Sequence, residues 1–384
     1  MAGVQRVLIL SVKAGAGHFR AAQALEAAFA ERYPELDVLH VDVLEYTNAA
    51  FRKGFKEGYE TLAKDLPTVW GYLYDSLEEK PGNSRLKRLA TLFDQMNARP
   101  LKKLVKKFDP DRIVCTHYVG AEVVCPRRRK GKLRAEVSVT LTDYDIHTMW
   151  IQQGVDDYFV ATEEMAYALR EKGIGDARAH VTGIPIVPEF TRDYPDKPTM
   201  RTRLGLDPEK RTVLVSAGGF GLMRADRTVA VLSDRLPEVQ FLAVAGNAKK
   251  LEQQLRDVAA DRPGRIHPFG FVDNMHELMA ASDLAVAKCG GLTTSECLTM
   301  GLPMVIVKPI PGQEERNAVF LLERGAGVWA HTGANMIFKA ERLLRDPDRL
   351  AAMQAAARAA ARPDAAYRIA DTIVQGTPAG APDA

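Results

Sequence analysis

Short apolar runs separated by spacers of helical length dominate the chain. The opening reads as strand Arg6 to Ser11, glycine-bearing loop Lys13 to Gly17, helix His18 to Arg32 and strand Val38 to Leu44, one βαβ unit. A long stretch of helical period follows, from Ala49 to Phe108, in which Phe51, Phe55 and Tyr59 recur four apart on one face. β-rich runs return at Arg112–Thr116, Glu136–Leu141, Tyr158–Ala161 and His180–Gly183. Pro188, Pro195 and Pro198 then punctuate a polar stretch without apolar period, which reads as a linker.

The second half is more regular. Strand-like runs at Thr212–Ser216, Gln240–Ala245, Arg265–Phe269, Leu284–Ala287, Met304–Val307 and Gly327–Ala330 are separated by helix-like segments. Such alternation builds a parallel, doubly wound sheet. The expected organisation is therefore α/β, with two Rossmann-like domains and a cleft between their carboxyl edges. Residues 1–188 form the first domain, 189–198 the linker and 199–362 the second domain. A last helix at 363–375 has the option of crossing back to the first domain, and a Gly/Pro/Ala-rich tail, 376–384, is expected to be disordered.

With 384 residues, 46% apolar and 26% charged, the chain has material for two cores. No apolar run approaches the ~20 residues that span a bilayer, and the opening lacks a signal-peptide pattern. Four cysteines without metal-site spacing fit a reducing cytoplasm. Net charge is +3, but residues 47–134 alone carry +10 and the remainder −7. That block holds Arg127, Arg128 and several exposed-type aromatics, among them Phe51, Phe55 and Trp70. Basic residues interleaved with aromatics suit an anionic membrane interface better than nucleic acid, although helix-on-helix burial of the aromatics is an equal alternative.

The chemistry-bearing residues cluster just after predicted strands, where a parallel sheet binds its ligands. Gly15, Gly17 and His18 follow the first strand; His18 opens a helix, where a neutral imidazole is favoured and can accept a proton. The same loop also loosely fits a dinucleotide fingerprint, with Asp42 ending the next strand. Asp143 follows another strand and is placed either to hold an acceptor or to orient His18, or else only to tie its loop together with His147. A metal on Asp143, Asp145 and His147 lacks a partner cluster. His117 is divided between acceptor contact and a core role. His40, His180, His267, His276 and His331 have no chemical company and read as structural.

In the second half Gly218, Gly219 and Gly221 form a loop able to cradle a diphosphate, with Arg224 nearby. Phe269 and Val272 flank a strand end where a flat base can rest, or simply pack. The stretch Lys288-Cys289-Gly290-Gly291-Leu292-Thr293-Thr294-Ser295-Glu296 passes from strand to helix, so free backbone amides and the positive end of a helix dipole meet two threonines and an acid. Gln313, Glu314 and Asn317 follow, with amides and a carboxylate suited to sugar hydroxyls. Together these clusters read as a nucleotide-sugar site.

Quoted in order, the motifs resemble those of the processive diacylglycerol β-glycosyltransferases and monogalactosyldiacylglycerol synthases, which are similar to the lipid II-forming peptidoglycan glycosyltransferase. The glycine loop with its histidine is Gly15-Ala16-Gly17-His18. A T-D-x-x-x-H-x-x-W pattern is met by Thr142, Asp143, His147 and Trp150, and a G-x-P turn by Gly183-Ile184-Pro185. The K-x-G-G-x-T-x-x-E signature is met by Lys288 to Glu296, and P-G-Q-E-x-x-N by Pro311 to Asn317. Position 289 is Cys where Pro or Ala is common in that family, and the first phosphate loop has Phe220 between its glycines.

The resemblance implies the GT-B fold and transfer of a hexose from a UDP-sugar, UDP-glucose or UDP-galactose, to diacylglycerol, with inversion at the anomeric carbon. It casts His18 as base supported by Asp143. Gly17, Gly218, Gly219, Gly291, Thr293 and Thr294 line the donor, with amides of Gly219 and Thr293–Thr294 on the departing diphosphate. Glu296 takes the ribose, Gln313 and Glu314 the hexose, and no metal or other cofactor is required. His117 serves the acceptor, and the enzyme sits as a peripheral protein on the inner face of the cell membrane. Another lipid-linked acceptor, or non-catalytic sensing of a UDP-sugar, are the alternatives.

Overall fold

The computed structural model describes residues 3–13, 17–49, 52–54, 99–174, 177–218 and 224–376. Phe51, Phe55, Trp70 and Gly219 fall outside them. Two compact units emerge. The first comprises Met1–Pro188, Pro311–Gln313 and Arg362–Ala384, and the second Glu189–Ile310 and Glu314–Ala361.

In the first unit the strands are β1 (Arg6–Ser11), β2 (Asp37–Asp42), β3 (Arg112–Cys115), β4 (Glu136–Thr140), β5 (Asp157–Val160) and β6 (Arg178–Val181). They form one parallel sheet in the order β2-β1-β3-β4-β5-β6. Helices α1 (Gly17–Arg32), α2 (Arg99–Phe108), α3 (Tyr118–Arg129) and α4 (Glu163–Glu171) connect them. β2 ends two residues before the expected Leu44. The Asp42 carboxylate accepts from the Leu44 amide and turns the chain into a short 3-10 segment, Val43–Tyr46. Helix α3 was not expected: its β-branched residues and internal Pro126 disguise it. Gly120 lets it lie close on the sheet, since a Cβ there would stand 3.0 Å from Leu10 Cβ.

The second unit has strands β7 (Arg211–Ser216), β8 (Val239–Val244), β9 (Ile266–Phe269), β10 (Leu284–Ala287), β11 (Met304–Val307) and β12 (Gly327–Ala330), all parallel, in the order β12-β11-β10-β7-β8-β9. Its helices are α5 (Lys197–Arg203), α6 (Ala225–Arg235), α7 (Lys249–Ala260), α8 (Met275–Ala281), α9 (Gly291–Thr299), α10 (Gln313–Glu323), α11 (Gly333–Arg345) and α12 (Pro347–Ala360). α5 starts inside the stretch read as linker; Asp196 caps it, and Pro198 sits where a first-turn proline costs no hydrogen bond. The core is built from strand faces such as Val213, Val215, Phe241 and Val286, covered by Val229, Leu232, Leu255 and Leu343.

The last helix, α13 (Ala365–Gln375), belongs to the first unit. Ala366, Ile369, Ala370 and Ile373 pack against Ala22, Leu25 and Phe29 of α1, and Asp371 takes an ion pair from Arg32 and a hydrogen bond from Tyr33 Oη at 2.9 Å. Gly183 makes room for the returning chain. Its φ is +96°, and an added Cβ would lie 2.4 Å from Arg362 Cβ. Among the described residues no helix is long and apolar enough to cross a membrane.

Candidate active site

In an open parallel sheet, ligands bind where the strand order reverses, beyond the carboxyl ends of the two diverging strands. In the first unit that point lies between β1 and β3. The loop after β1 leads into His18, and Thr116 and His117 follow β3. His18 Nδ1 lies 3.0 Å from the Thr116 carbonyl and 2.8 Å from Thr142 Oγ1, and Thr116 Oγ1 donates back to the His18 carbonyl at 2.8 Å. A carbonyl only accepts, so Nδ1 carries the ring proton, and Nε2 is left with its lone pair. That is the tautomer a general base needs.

His18 is half-buried as a residue, but its ring is walled in. The His117 ring stands edge-on at 4.6 Å and Trp150 lies at 5.8 Å. Desolvation lowers the His18 pKa from 6.5 to about 4, against a smaller upward pull from the Thr116 carbonyl. His117 is pushed well down as well, by burial and then by its neighbour His18. Its Nδ1 accepts from the Val119 amide at 3.2 Å, capping α3, so its Nε2 carries the proton. His147 caps the 3-10 segment Thr148–Trp150 in the same manner and thereby sets Trp150.

Asp143 is nearly buried one residue beyond Thr142. The short stretch Pro311–Gln313 groups with this unit, and there Gln313 Nε2 donates to Asp143 Oδ2 at 2.7 Å. The orientation of His18 thus has identified sources in Thr116 and Thr142, of which the sequence marks Thr142 only as part of a motif and Thr116 not at all. A contact through a main-chain carbonyl leaves no side-chain signature to read. Asp42 Oδ1 accepts from the Lys13 and Leu44 amides at 3.3 and 3.0 Å, so its carboxylate is engaged with its own loop and the dinucleotide reading loses its ribose ligand. His40 and His180 do have polar partners: Ser11 and Glu26 for the first, Asp157 for the second. Arg128 pairs with Asp156 at 2.6 Å and also donates to the Arg134 carbonyl, which spends its charge inside the fold. Arg127 is half-buried, with an Nε that has no partner.

The second unit repeats the logic. Its strand order reverses between β7 and β10. Gly218 follows β7 with φ +70°, and the Lys288–Gly290 stretch follows β10. The Lys288 side chain runs beside the glycine turn, 3.9 Å from where a Gly218 Cβ would stand. Gly290 caps α9. The Thr294 amide is already taken by the Gly290 carbonyl at 2.9 Å, so the free first-turn amides are those of Gly291, Leu292 and Thr293. Of the pair expected from sequence, Thr293–Thr294, only the Thr293 amide is therefore free. Thr294 contributes differently: its Oγ1 is buried without a hydrogen-bond partner. A buried orphan hydroxyl in the first turn of a helix is a costly feature. Glu296 follows, half-buried, and Phe269 ends β9 with Val272 three residues on, both half-buried.

Two residues expected to contact the sugar also act as braces. Glu314 Oε2 accepts from the Ile310 amide at 2.7 Å and pairs with Lys288 Nζ at 3.1 Å. The fully buried Asn317 donates to the Cys289 carbonyl at 3.1 Å, and the Cys289 thiol points to the Glu314 carbonyl. α10 therefore holds the Lys288–Gly290 loop from behind. A carboxylate and an amide spaced three apart suit loop support as well as sugar binding, and only packing distinguishes the two. Arg224 pairs with Asp226 at 3.0 Å. All four cysteines are buried, and burial raises the thiol pKa of Cys125 to about 12.

Comparison with known proteins fits this picture. Residues 18–186 match the model of the monogalactosyldiacylglycerol synthase family, and residues 212–369 that of the glycosyltransferase family 28 C-terminal domain. Each half of the chain thus matches a glycosyltransferase family model, and the protein is a glycosyltransferase. A processive diacylglycerol beta-glucosyltransferase of Bacillus cereus (strain 03BB102) is 29% identical over 378 residues, covering 96% of this chain and 93% of that protein. In fold, the glycosyltransferase is similar to MurG of Acinetobacter baumannii, with a TM-score of 0.61 at 15% identity over 97% of this chain and 100% of that one. A UDP-glucosyltransferase of Polygonum tinctorium gives 0.62 at 13% identity over 98% and 100%. The fold is GT-B.

Proposed function

We propose that the protein transfers a hexose from a UDP-sugar to the free hydroxyl of diacylglycerol, with inversion, giving a β-glycosyl-diacylglycerol. The observation that carries this reading is the fixed tautomer of His18, whose Nε2 lone pair lies at the switch point of the first sheet. In the proposed step, Nε2 takes the acceptor proton as the acceptor oxygen attacks the anomeric carbon from the face opposite the diphosphate. The bond from that carbon to the diphosphate oxygen breaks, and UDP leaves with the electron pair. Amides of Gly291, Leu292 and Thr293 and the α9 dipole would receive the charge that develops there. Lys288 adds a cation beside the same loop. On this account the leaving group is stabilised without a metal, and Glu296 holds the ribose. Gln313 remains a candidate for the hexose, and Asp143, linked to it, a candidate for the acceptor hydroxyl.

The curated relative is named for glucose and the matching first-domain family for galactose, so the donor is to be decided by assay. A diacylglycerol acceptor places the enzyme at a membrane, and we propose peripheral docking on the inner, anionic face. Incubation with UDP-glucose, UDP-galactose and diacylglycerol liposomes, followed by mass spectrometry and NMR of the product, tests the whole reading. A β-linked glycosyl-diacylglycerol is expected. Release of no UDP with either donor, or an α-linked product, refutes it; binding of a UDP-sugar without turnover favours a sensor.

A further inference from the structure

We infer that the face of α11 around Phe338 is a docking surface for the headgroups of an anionic phospholipid bilayer. Phe338, Arg342 and Arg345 stand four and three residues apart, along one side of α11. The opposite side, with Met336, Ala340, Leu343 and Leu344, is buried in the core. Phe338 is 58% exposed, so a large aromatic ring faces solvent although the helix has a well-filled apolar side. The Arg342 guanidinium lies 5.8 Å from its ring centroid. Arg349, from the first turn of α12, meets them across a cavity of about 340 Å³ that Val328, Lys339 and Leu343 complete. Arg345 lines an adjoining hollow of about 450 Å³ with Glu341 and Asp346.

The charge balance of this patch is what points to phosphate. Among the described residues, the guanidinium groups of Arg342, Arg345 and Arg349 have no carboxylate within ion-pair distance. The nearby acids are spent elsewhere: Glu341 pairs with Arg235 at 3.6 Å, and Asp346 caps α12 through the Arg349 amide at 3.0 Å. Lys339 is turned to the Trp329 carbonyl. Three free guanidinium forks around an exposed ring combine the two elements of an interfacial anchor, a ring for the acyl boundary and planar donors for phosphate. A soluble phosphate would use the forks and leave the ring idle, so the ring commits the site to a lipid surface.

The inference rests on the reading that the enzyme works at a membrane, but its test needs no turnover. Full-length protein is sedimented with vesicles of phosphatidylglycerol in phosphatidylcholine, and with phosphatidylcholine alone, at low and high salt. Each arginine removed by Arg342→Gln, Arg345→Gln or Arg349→Gln is expected to weaken partition onto the anionic vesicles roughly fivefold. Phe338→Ser is expected to weaken partition onto both kinds of vesicle. Circular dichroism melting should be unchanged for all four, since none of these side chains is in the core. Wild-type partition by the triple arginine variant overturns the inference, as does displacement from vesicles by millimolar soluble glycerol phosphate. Sugar transfer to a detergent-dispersed acceptor is measured in parallel. Loss of vesicle binding with that transfer intact supports the surface; no transfer by wild type, with vesicle binding still arginine-dependent, refutes the proposed reaction and leaves the surface standing.

Discussion

The His18 environment makes a quantitative demand on pH dependence. Moving a histidine pKa from 6.5 to about 4 corresponds to roughly 3 kcal/mol in favour of the neutral ring. At pH 5.5 an ordinary histidine is about nine-tenths protonated, whereas His18 should remain more than about nine-tenths neutral. Since kcat/KM reports the free enzyme, its acid limb is expected below about pH 5. The same shift affects folding, because the unfolded chain takes up the proton more readily than the native one. Stability is therefore full above pH 6.5 and declines as pH falls towards 4, by at most about 3 kcal/mol from this group. Far-UV circular dichroism at each pH separates the two effects. Thr142→Val removes the hydroxyl beside Nδ1 but leaves the Thr116 carbonyl, so the tautomer persists with one less restraint. A loss of about 0.5–1.5 kcal/mol, a two- to tenfold fall in kcat, is expected with no shift of the acid limb. An acid limb at pH 6.5 in wild type would refute the burial argument. A Thr142→Val variant with unchanged kcat would refute the positioning argument.

Other outcomes follow from single contacts. His18→Gln should abolish transfer while leaving UDP affinity by calorimetry unchanged, and near-wild-type turnover would remove the base assignment. Glu296→Gln should weaken UDP binding about tenfold, a loss of near 1.4 kcal/mol; equal affinity would free Glu296 from the ribose. Gly183→Ala should cost about 2 kcal/mol or more in urea unfolding, because φ is +96° and the new Cβ meets Arg362 at 2.4 Å. Asp283→Ala should cost about 3–5 kcal/mol, since Asp283 balances Arg201 at 2.6 Å and Lys197 at 3.0 Å and also accepts the Thr212 amide. EDTA should leave initial rates unchanged; abolition restored by a divalent cation would overturn the proposed metal-free departure of UDP.

The strands were legible because parallel strands, covered on both faces, are written as continuous apolar runs. Leu284–Ala287, Met304–Val307 and Gly327–Ala330 have the boundaries read from sequence. α3 was illegible because its residues serve the sheet beneath it: Val119, Val123 and Val124 are buried there, and Gly120 closes the gap to Leu10. A helix chosen for close packing on a sheet borrows the composition of a strand. The site was legible as a set of positions after strands, less so as a set of contacts. His18 and the Gly290–Thr294 turn stand out by residue type. The carbonyl of Thr116 carries no such mark, and Glu314 and Asn317 carry marks that fit two roles.

That distinction has a physical origin, visible at Lys288. A lysine, two glycines, two threonines and an acid look like so many ligands, yet a helix terminus binds an oxyanion with amides that every residue possesses. Side chains in such a motif then divide into those that touch the anion and those that hold the amides still. Glu314 illustrates the second group. It ties the Ile310 amide and the Lys288 ammonium, and a Gly290 Cβ would lie 3.6 Å from its other oxygen. Replacing it by Gln keeps the shape but removes a charge from a buried pair, so Lys288 loses its counterion. If Glu314 contacted the hexose, Glu314→Gln would raise the KM for donor at unchanged stability. As a brace, it should lower the melting temperature together with UDP affinity, and UDP should recover part of that stability, because its diphosphate supplies Lys288 with a new counterion. Thermal melts with and without UDP separate the two assignments.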